Sequence, residues 1–227
     1  MSMVTLSMLN REGIETAQDD MVRWHYLHKR IDPRCSVEGY MIISNWWPVG
    51  WLLFGRPQAT KCGAWYGGVK DVLQGRCECT RWQVLNLARV WISPTFQPGG
   101  EHYNSDCLPG FVDRKGVWRS TLASEALRLA ERCIGLDYLL SRPPVFPDEP
   151  YQIDWIMSYC NSRLHKGLIY AAAGYELHRV NAQGIQTWRK RLPPLTEAEH
   201  AQVLRASERS LRAMRYRSQR AQLAFQI

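Results

Sequence analysis

The alternation of apolar and polar residues is clearest over residues 153–157, which predicts a strand with one buried face. A polar loop at 160–163 follows, and a short helix of small residues then runs from Gly167 to Ala173. Gly174 ends this helix, because glycine tolerates the left-handed conformation of a helix stop. The next strand is predicted at 175–178. The rest of the chain is organised around this strand, loop, helix and strand.

The hydrophobic pattern also predicts the structure of the remaining segments, except for one long irregular stretch. Residues 57–80 show no clear period, and loops of this length inside a domain are usually functional. We therefore expect Trp65 to Gly68 to line a ligand cleft. The other predicted elements are a helix from Asp19 through Trp24, strands at 38–43, 50–54, 82–92 and 136–141, a helix at 120–133, a hairpin at 181–188 and a helix from 196 to about 222.

Composition places the chain among folded proteins. Of its 227 residues, 45% are hydrophobic and 22% charged, enough to bury a core. We expect a loose N-terminal segment at 1–18, a catalytic domain at 19–192 and a basic C-terminal helix at 193–227. No apolar run is long enough to cross a bilayer. With no secretory leader pattern and seven cysteines without a C-x-x-C pair, we expect a cytoplasmic protein with reduced thiols.

Positive charge is concentrated near the C-terminus. The formal net charge is +8, and the last helix places several arginines on or near one face with only Glu208 against them. This pattern favours a polyphosphate partner, and a solvated face or a homodimer contact is the alternative. The arginines expected to contact such a polyphosphate are Arg205, Arg209, Arg212, Arg215 and Arg220.

Three further groups of residues could carry chemistry. His25 and His28 would share one helical face, where they could bind a metal or transfer protons, or be exposed residues at a helix end. Asn86 and Arg89 are polar exceptions in the central strand and would face opposite sides unless a bulge intervenes. The hydroxyls and guanidinium at the start of the 120–133 helix suit a phosphate, with simple capping as the alternative. These are Arg119, Ser120 and Thr121.

The order of these motifs resembles a known family. The stretch from 153 to 177 is similar to the second half of the acetyltransferase-like (GNAT) fold, a mixed and mostly antiparallel sheet flanked by helices. The whole series resembles the Mom family of bacteriophage DNA-modification proteins, a divergent branch of that fold. The resemblance covers about Val22 to Leu177, through the segments His25 to His28, Gly50 to Gly55, Leu87 to Val90, Ser124 to Leu129 and Ser158 to Tyr170.

The resemblance implies an activity and a site. It implies modification of adenine in duplex DNA to N6-carbamoylmethyl (acetamido) adenine, which protects DNA from restriction, with an acetyl-CoA-like donor and a bound iron as proposed cofactors. Gly167 would belong to the donor site, and Asp154 would orient a histidine. A flipped base would need an aromatic clamp, for which Tyr26, Tyr66 and Tyr170 are candidates. The catalytic residues carried over by position are His25, Tyr26, His28, Arg89, Ser124, His165 and Tyr170.

Two departures from the family pattern keep other functions open. Asn86 and Asn161 stand where carboxylates are expected, and Trp118 to Thr121 replaces the glycine-rich acyl-CoA loop of the wider fold. An ordinary GNAT acyltransferase acting on a small amine or a protein is the second hypothesis, and it predicts tight acyl-CoA binding without any change in DNA. A non-catalytic DNA-binding protein is the third, and it predicts DNA affinity that survives mutation of the site.

Overall fold

A seven-stranded sheet forms the centre of the protein. The computed structural model describes residues 4–25, 29–32, 37–103, 108–145, 149, 151–163 and 166–224, with only the backbone of Trp118 and of 218–224. The strands of the sheet are β1 (Val4–Met8), β2 (Glu38–Ser44), β3 (Trp47–Gly55), β6 (Val84–Ile92), β9 (Trp155–Asn161), β10 (Glu176–Val180) and β11 (Ile185–Arg191). Their order across the sheet is β1-β2-β3-β6-β9-β11-β10.

Five α-helices, two short 3-10 helices (Arg81–Gln83 and Pro94–Phe96) and two small ribbons complete the described structure. The ribbons are β4 (Tyr66–Gly67) with β5 (Cys79–Thr80), and β7 (Gly110–Val112) with β8 (Trp118–Ser120). The helices are α1 (Arg11–Trp24), α2 (Val69–Leu73), α3 (Leu122–Ser141), α4 (Leu168–Ala173) and α5 (Glu197–Ala224).

The sheet is mixed but mostly antiparallel. Every neighbouring pair of strands is antiparallel except β6 and β9, which are parallel. Parallel strands need a long crossover, and α3 provides it by running between β6 and β9 along the chain. Helix α1 connects β1 to β2, and α4 connects β9 to β10. The predicted fold class, a central mostly antiparallel sheet flanked by helices, is confirmed.

The two faces of the sheet are covered by different elements because side chains alternate along a strand. On β3, Leu52 and Phe54 belong to the core cluster that includes the buried face of α3, whereas Leu53 packs with Ala17 and Met21 of α1. Helix α3 presents small and branched residues to the first face, namely Leu122, Ala126, Leu127, Ala130 and Ile134. The connection between β3 and β6 forms a further cluster with Val84 and Met157.

Three predictions of local structure are wrong. Residues 4–18 are not loose, because β1 pairs with β2 along five residues and α1 follows it. Residues 136–141 form the last turns of α3 rather than a strand, and Tyr138 and Leu139 there are buried against the sheet. Trp65 and Tyr66 do not line a cleft, since both are buried in the connection between β3 and β6. The apolar residues of these segments favoured more than one structure, and long-range packing selected one.

Helix α5 begins as predicted but docks through a different face. The capping box is present, because the Glu199 carboxylate accepts a bond from the Thr196 N–H (2.7 Å) and the Thr196 hydroxyl accepts one from the Glu199 N–H (3.3 Å). Leu204 and Met214, two of the apolar residues of this helix, are exposed and do not dock it. Val203, Ala206 and Ser207 are buried instead, and the Ser207 hydroxyl donates to the Pro144 carbonyl oxygen.

Within the described part of the chain, none of the helices combines the length and the apolar character needed to cross a membrane.

Candidate active site

The central feature of the molecule is a cleft that opens where β6 and β9 part. The two strands are paired at only three positions, ending with Asn86 opposite Met157. Directly beyond that point β6 carries a bulge, because Leu87 pairs with Phe54 and Arg89 with Leu53, which leaves Ala88 as an extra residue. A bulge bends its strand. The bend therefore accounts for the parting of two strands that begin side by side.

The bulge also decides which side chains share the cleft. Asn86 and Arg89 are three positions apart and would face opposite sides of a regular strand. The extra residue restores the alternation, and both residues line the cleft. The sequence predicted that the two side chains would share one side only if a bulge intervened, and the structure contains that bulge.

The cleft is large enough for a substantial ligand. Its volume is about 980 Å³, and its wall is formed by β6, β9, α4 and the end of α1. The residues that line it include Trp24, His25, Arg89, Ser158, Cys160 and Tyr170. A concave, mainly apolar cavity with a few convergent polar groups is the usual form of a ligand site.

A hydrogen-bonded chain lies at the floor of the cleft. The Ser158 hydroxyl lies 3.1 Å from the Leu87 carbonyl oxygen and 3.0 Å from the phenol oxygen of Tyr170. A serine hydroxyl has one proton, and a carbonyl oxygen can only accept. When Ser158 donates to Leu87, its oxygen can accept from the Tyr170 O–H. Ser158 thus links the two parted strands to α4 and orients the phenol.

A polar atom of β6, the Asn86 side-chain oxygen, is buried and lacks a hydrogen-bond partner among the described residues. A buried acceptor without a donor is costly, so this position favours a ligand or water that donates. The Arg89 guanidinium donates to the Ala88 carbonyl oxygen (2.6 Å), which holds its positive charge at the bulge.

Cys160 is the thiol of the cleft, and it is not built as a nucleophile. Its side chain is buried, and burial raises the pKa of the thiol above its ordinary value of 9.0. The thiolate is the nucleophilic form of cysteine. The surroundings of Cys160 therefore do not activate its thiol as a nucleophile.

Gly167 begins α4 at the wall of the cleft, and only glycine fits there. Its φ is +69°, in the left-handed region, and a Cβ would lie 2.6 Å from the indole ring of Trp188. Trp188 in turn packs against Tyr170, with ring centroids 5.9 Å apart. The close approach of Gly167 to Trp188 therefore fixes the position of the helix that carries Tyr170.

Gly167→Ala should lower the free energy of unfolding by about 2–5 kcal/mol, because it adds a clash with Trp188 to the strain of a positive φ. Gly174→Ala is the matched control, since Gly174 also has a positive φ (+87°) but a Cβ there meets only the flexible end of Lys190 at 3.5 Å. We expect about 1–2 kcal/mol for the control. Urea denaturation measures both, and equal losses would show that the Trp188 ring moves aside at no cost.

The structure brings four of the predicted site residues together. His25, Arg89, Gly167 and Tyr170 all line the cleft. His25 follows the last turn of α1, and its N–H donates to the Met21 carbonyl oxygen (3.0 Å). Tyr26, His28 and His165 lie outside the described residues, and their predicted roles remain predictions.

Other predicted residues lie away from the cleft. The Ser124 hydroxyl donates to the Thr121 carbonyl oxygen (2.9 Å) inside the first turn of α3, and Ser124 is buried. Asp154 accepts bonds from the side chains of Gln83 and Gln152 just before β9 begins, at the closed end of the strand pair. Among the described residues, its side-chain partners are therefore two amides and not a histidine. The structure assigns both residues to local hydrogen bonding because each lies next to backbone or amide groups that need a partner.

The predicted phosphate site is engaged in contacts of its own. Arg119 forms an ion pair with Asp113 (3.0 Å), the Ser120 hydroxyl accepts from the Leu122 N–H (3.3 Å), and Thr121 is bonded to Glu125. The Ser120 contact agrees with the capping alternative, whereas Thr121, the N-cap residue of α3, makes no side-chain capping hydrogen bond. Tyr66 is fully buried, so the prediction that it clamps a base is wrong.

Sequence reasoning missed several residues of the cleft. Ser158 orients Tyr170, and Trp24, Trp91 and Lys166 line the wall, but none was predicted as a site residue. The serine had a usable signal, because it is a polar residue at a buried position of the strand that precedes the Gly167 turn. A buried hydroxyl normally has a hydrogen-bond partner, and here the partner is a residue of the site.

The predicted metal finds no support in the described residues. Among them, no group of three or more His, Cys, Asp and Glu side chains is placed to hold an ion. His25 is described without its predicted companion His28. The iron implied by the family resemblance therefore enters no step below.

Comparisons with known proteins bear on the fold. This chain matches no protein-family model and no curated protein. It is similar to the crystal structure of aminoglycoside acetyltransferase AAC(6')-Ib with coenzyme A, with 13% identity over 83% of this chain and 95% of that chain and a TM-score of 0.42. It is also similar to a Bacillus subtilis acetyltransferase in complex with CoA, with 9% identity over 85% and 100% of the two chains and a TM-score of 0.39.

A third similar structure is a Methanocaldococcus jannaschii domain, with 8% identity over 85% of this chain and all of that chain and a TM-score of 0.40. The protein itself has a mixed α/β fold with a central, mostly antiparallel sheet flanked by helices, which is the fold class that the sequence predicted.

Proposed function

We propose that this protein is an N-acyltransferase-type enzyme, which moves an acyl or acyl-like group from a thioester donor to an amine in the cleft between β6 and β9. The observation that carries the proposal is the parting of these two parallel strands after three pairs, with Tyr170 at the floor of the opening. Beyond Asn86, no strand of the described structure pairs with β6 on this side. Two strand edges with backbone donors and acceptors therefore face the cleft.

The residues present fit an extended donor that contains amides, such as acetyl-CoA. An extended chain can pair with a strand edge through main-chain hydrogen bonds, as an added strand does. The cleft-side edge of β6 beyond Asn86 and the turn at Gly167 would hold such an arm, and Lys166 beside it provides a positive charge. When bound, the donor supplies an activated carbonyl. The Asn86 oxygen, which needs a donor, could accept from an amide N–H of the arm.

Two residues of the cleft have the chemistry for proton transfer. In this proposal the amine nitrogen bonds to the carbonyl carbon and the carbon–sulfur bond breaks. At this step the Ser158 hydroxyl donates to the phenol oxygen, so that the Tyr170 O–H can give its proton to the departing sulfur. His25 is the histidine among the described lining residues and accepts the proton that the amine loses. General acid–base catalysis of this kind needs a group within hydrogen-bond reach in the bound complex.

Titration calorimetry with acetyl-CoA tests the donor. We expect wild-type protein to bind it and Gly167→Ala to bind more weakly, because the substitution disturbs the cleft wall. Gly174→Ala should bind as the wild type does. Absence of binding by folded wild-type protein would overturn a coenzyme A thioester as the donor.

A second, narrower candidate is transfer to the exocyclic amine of adenine in duplex DNA, as in the Mom family, with N6-carbamoylmethyl adenine as the product. The positive charge of helix α5 and of the whole chain favours this second candidate. Arg205, Arg209, Arg212 and Arg215 of α5 are exposed, and the chain carries a net charge of +8. Protein cations provide sequence-independent affinity for the DNA backbone. The side chain of Arg220 lies outside the described residues.

Mass spectrometry of nucleosides from plasmid DNA, with and without the expressed protein, separates the two candidates. A heavier deoxyadenosine that depends on the protein would support the DNA substrate. Unchanged deoxyadenosine, together with acetyl-CoA binding, would leave a small amine or a protein as the acceptor. A protein that binds DNA, leaves it unchanged and does not bind acetyl-CoA would be the non-catalytic DNA-binding protein.

If DNA is the substrate, Arg209→Ala with Arg212→Ala should weaken binding and reduce the slope of log K against log salt by about two, because each lost phosphate contact lowers it by about one. Arg212 lies 4.0 Å from Glu208 and both side chains are largely exposed, so folding should be unaffected. Lys61→Ala with Arg76→Ala is the control. It removes the same charge from residues that pair with Asp71. Equal slopes for both double variants would contradict a specific role for α5.

A further inference from the structure

The hairpin between β2 and β3 has an unusual turn. Only Asn45 and Trp46 connect the two strands, and both have positive φ values, +45° and +74°. A two-residue connection of this kind normally contains Asn or Asp followed by Gly, because positive φ is unfavourable for residues with a Cβ. Asn45 fits this rule, but Trp46 occupies the position that favours glycine. Strain of this kind persists where the surrounding structure holds it, and it is common at functional sites.

This turn displays two tryptophans to solvent. Trp46 is 86% exposed and Trp47 is 60% exposed, so neither ring contributes much to the core. Large exposed aromatic pairs mark interaction sites more often than they stabilise a fold. The strain at Trp46 and its exposure are two separate observations, and both are hard to explain from folding alone.

The hairpin tip lies at the same end of the strands as the mouth of the cleft. β3 is antiparallel to β6, and Gly50 near the start of β3 pairs with Ile92 at the end of β6. β6 parts from β9 toward that same end, since the two strands pair only near their starts. Trp46 and Trp47 therefore project beyond the strand ends at which the cleft opens. They lie on the β6 side of the cleft.

The tip is also held rigidly to the cleft wall. The Ser93 N–H donates to the Val49 carbonyl oxygen (2.8 Å), which ties the hairpin to the residue after β6. Gly50 permits a close backbone contact, because a Cβ there would lie 2.2 Å from the Trp91 carbonyl oxygen. Trp91 itself lines the cleft. These contacts fix the start of β3, and so the base of the hairpin tip, against the cleft wall.

We propose that Trp46, supported by Trp47, is a wedge that enters the base stack of duplex DNA and fills the space beside the nucleotide that turns into the cleft. This inference rests on the proposal that the acceptor is adenine in DNA. A base in a duplex must leave the stack before its amine can react, and unstacking costs free energy that an inserted ring offsets. The hairpin therefore acts on the duplex while Tyr170 acts on the extruded base.

Charge at the cleft favours DNA over an apolar partner. Among the described residues that line the cleft, four carry a guanidinium or ammonium group, and Asp32 is the one carboxylate. The four cations are Arg30, Arg56, Arg89 and Lys166, of which Arg30 pairs with Glu15 and Asp19 outside the lining. An aromatic wedge next to a basic surface is the combination used to bind a bent or unstacked duplex.

Relaxed closed-circular plasmid DNA, treated with topoisomerase in the presence of protein, tests the wedge without knowledge of a preferred sequence. Insertion between base pairs unwinds the duplex and shifts the topoisomers. We expect the wild type and Trp46→Phe to shift them and Trp46→Ala to lose most of the shift. Trp46→Ala should bind DNA about tenfold more weakly with an unchanged salt slope, because stacking rather than phosphate contact is lost.

Two further variants separate a wedge from a structural role. Leu73→Ala removes an apolar side chain that is 80% exposed in the connection between β3 and β6, at the end of these strands opposite to the cleft mouth. This variant should behave as the wild type. Trp46→Gly should lose the topoisomer shift while its melting temperature rises by about 2–4 °C, because glycine relieves the positive φ. A residue that serves only folding would not lose function while gaining stability.

The outcomes distinguish failure of the wedge from failure of the DNA substrate. Wild-type protein that binds and modifies DNA without shifting topoisomers, or a Trp46→Ala variant that shifts them as the wild type does, overturns the wedge and leaves the DNA substrate in place. Wild-type protein that neither binds nor modifies DNA overturns both. If Trp46→Ala instead loses affinity for vesicles of anionic phospholipid while acting on DNA normally, the tip binds membranes and the wedge is wrong.

Discussion

Tyr170→Phe should lower the rate of group transfer by about 10²–10⁴-fold, the range that a positioned proton donor contributes. The substitution removes a single oxygen from a ring that is packed between Tyr175 and Trp188, with centroids 5.7 and 5.9 Å away. Ser158 keeps its contact with the Leu87 carbonyl oxygen, so the parted strands should hold their positions. Folding and donor binding should therefore remain close to those of the wild type, and the loss should appear in kcat rather than in KM.

Tyr151→Phe provides the control for this experiment. Tyr151 also packs its ring against neighbours, with His200 at 6.2 Å, but it lies outside the cleft. Single-turnover rates with either proposed acceptor measure the effect. A Tyr170→Phe variant with an unchanged rate would show that the phenol is a structural group and that another residue protonates the leaving sulfur.

Lys190→Met should destabilise the protein by about 3–5 kcal/mol, the usual cost of leaving one member of a buried ion pair without its partner. The Lys190 ammonium contacts the Glu131 carboxylate and donates to the Ala173 carbonyl oxygen (2.6 Å) at the end of α4. Glu131 is buried in α3, and this burial raises the pKa of its carboxyl above the ordinary 4.5. The pair thus joins α3, α4 and β11 behind the cleft.

The pKa of Glu131 also gives the sign of the pH dependence. A carboxyl whose pKa is higher in the folded state binds protons more readily there, so its contribution to stability declines as the pH rises above 4.5. Lys190→Met removes the cation that opposes this effect. The deficit of the variant should therefore be largest at neutral pH and should shrink as the pH falls toward the ordinary carboxyl range.

Chemical denaturation at pH 5 and pH 7.5 measures this difference. Lys70→Met, at an exposed lysine, should cost little at either pH. Adding Glu131→Gln to Lys190→Met should recover much of the loss, because the charge that lacks a partner is removed. A deficit that does not change with pH, or that Glu131→Gln does not rescue, would mean that packing of the lysine stem is what matters.

Much of the fold follows from local patterns. The alternation in β6 and β9, the glycine stop after α4 and the capping box of α5 were all sufficient to place their elements. The errors occurred where a segment is apolar without a decisive period. Residues 136–141 could be a strand or the end of a helix by composition, and contact with the sheet selects the helix.

The candidate site was only partly predictable. Tyr170, Gly167 and Arg89 were assigned to a site through the family resemblance, and the structure brings all three to the cleft. Ser124 and Asp154 were misplaced, since hydroxyls and carboxylates close to chain turns serve local hydrogen bonds as often as chemistry. Ser158 was missed because its role depends on Tyr170, twelve residues away along the chain.

The sequence by itself determined the class of fold, the short helix that carries Tyr170 and the basic character of α5, because each depends on periods and caps within a few residues. Only the tertiary structure decided where the cleft opens, since that depends on one extra residue, Ala88, relative to a neighbouring strand. It also decided that Tyr66 is buried and that Trp46 is exposed. Burial depends on which distant segments cover a side chain, and no local pattern contains that information.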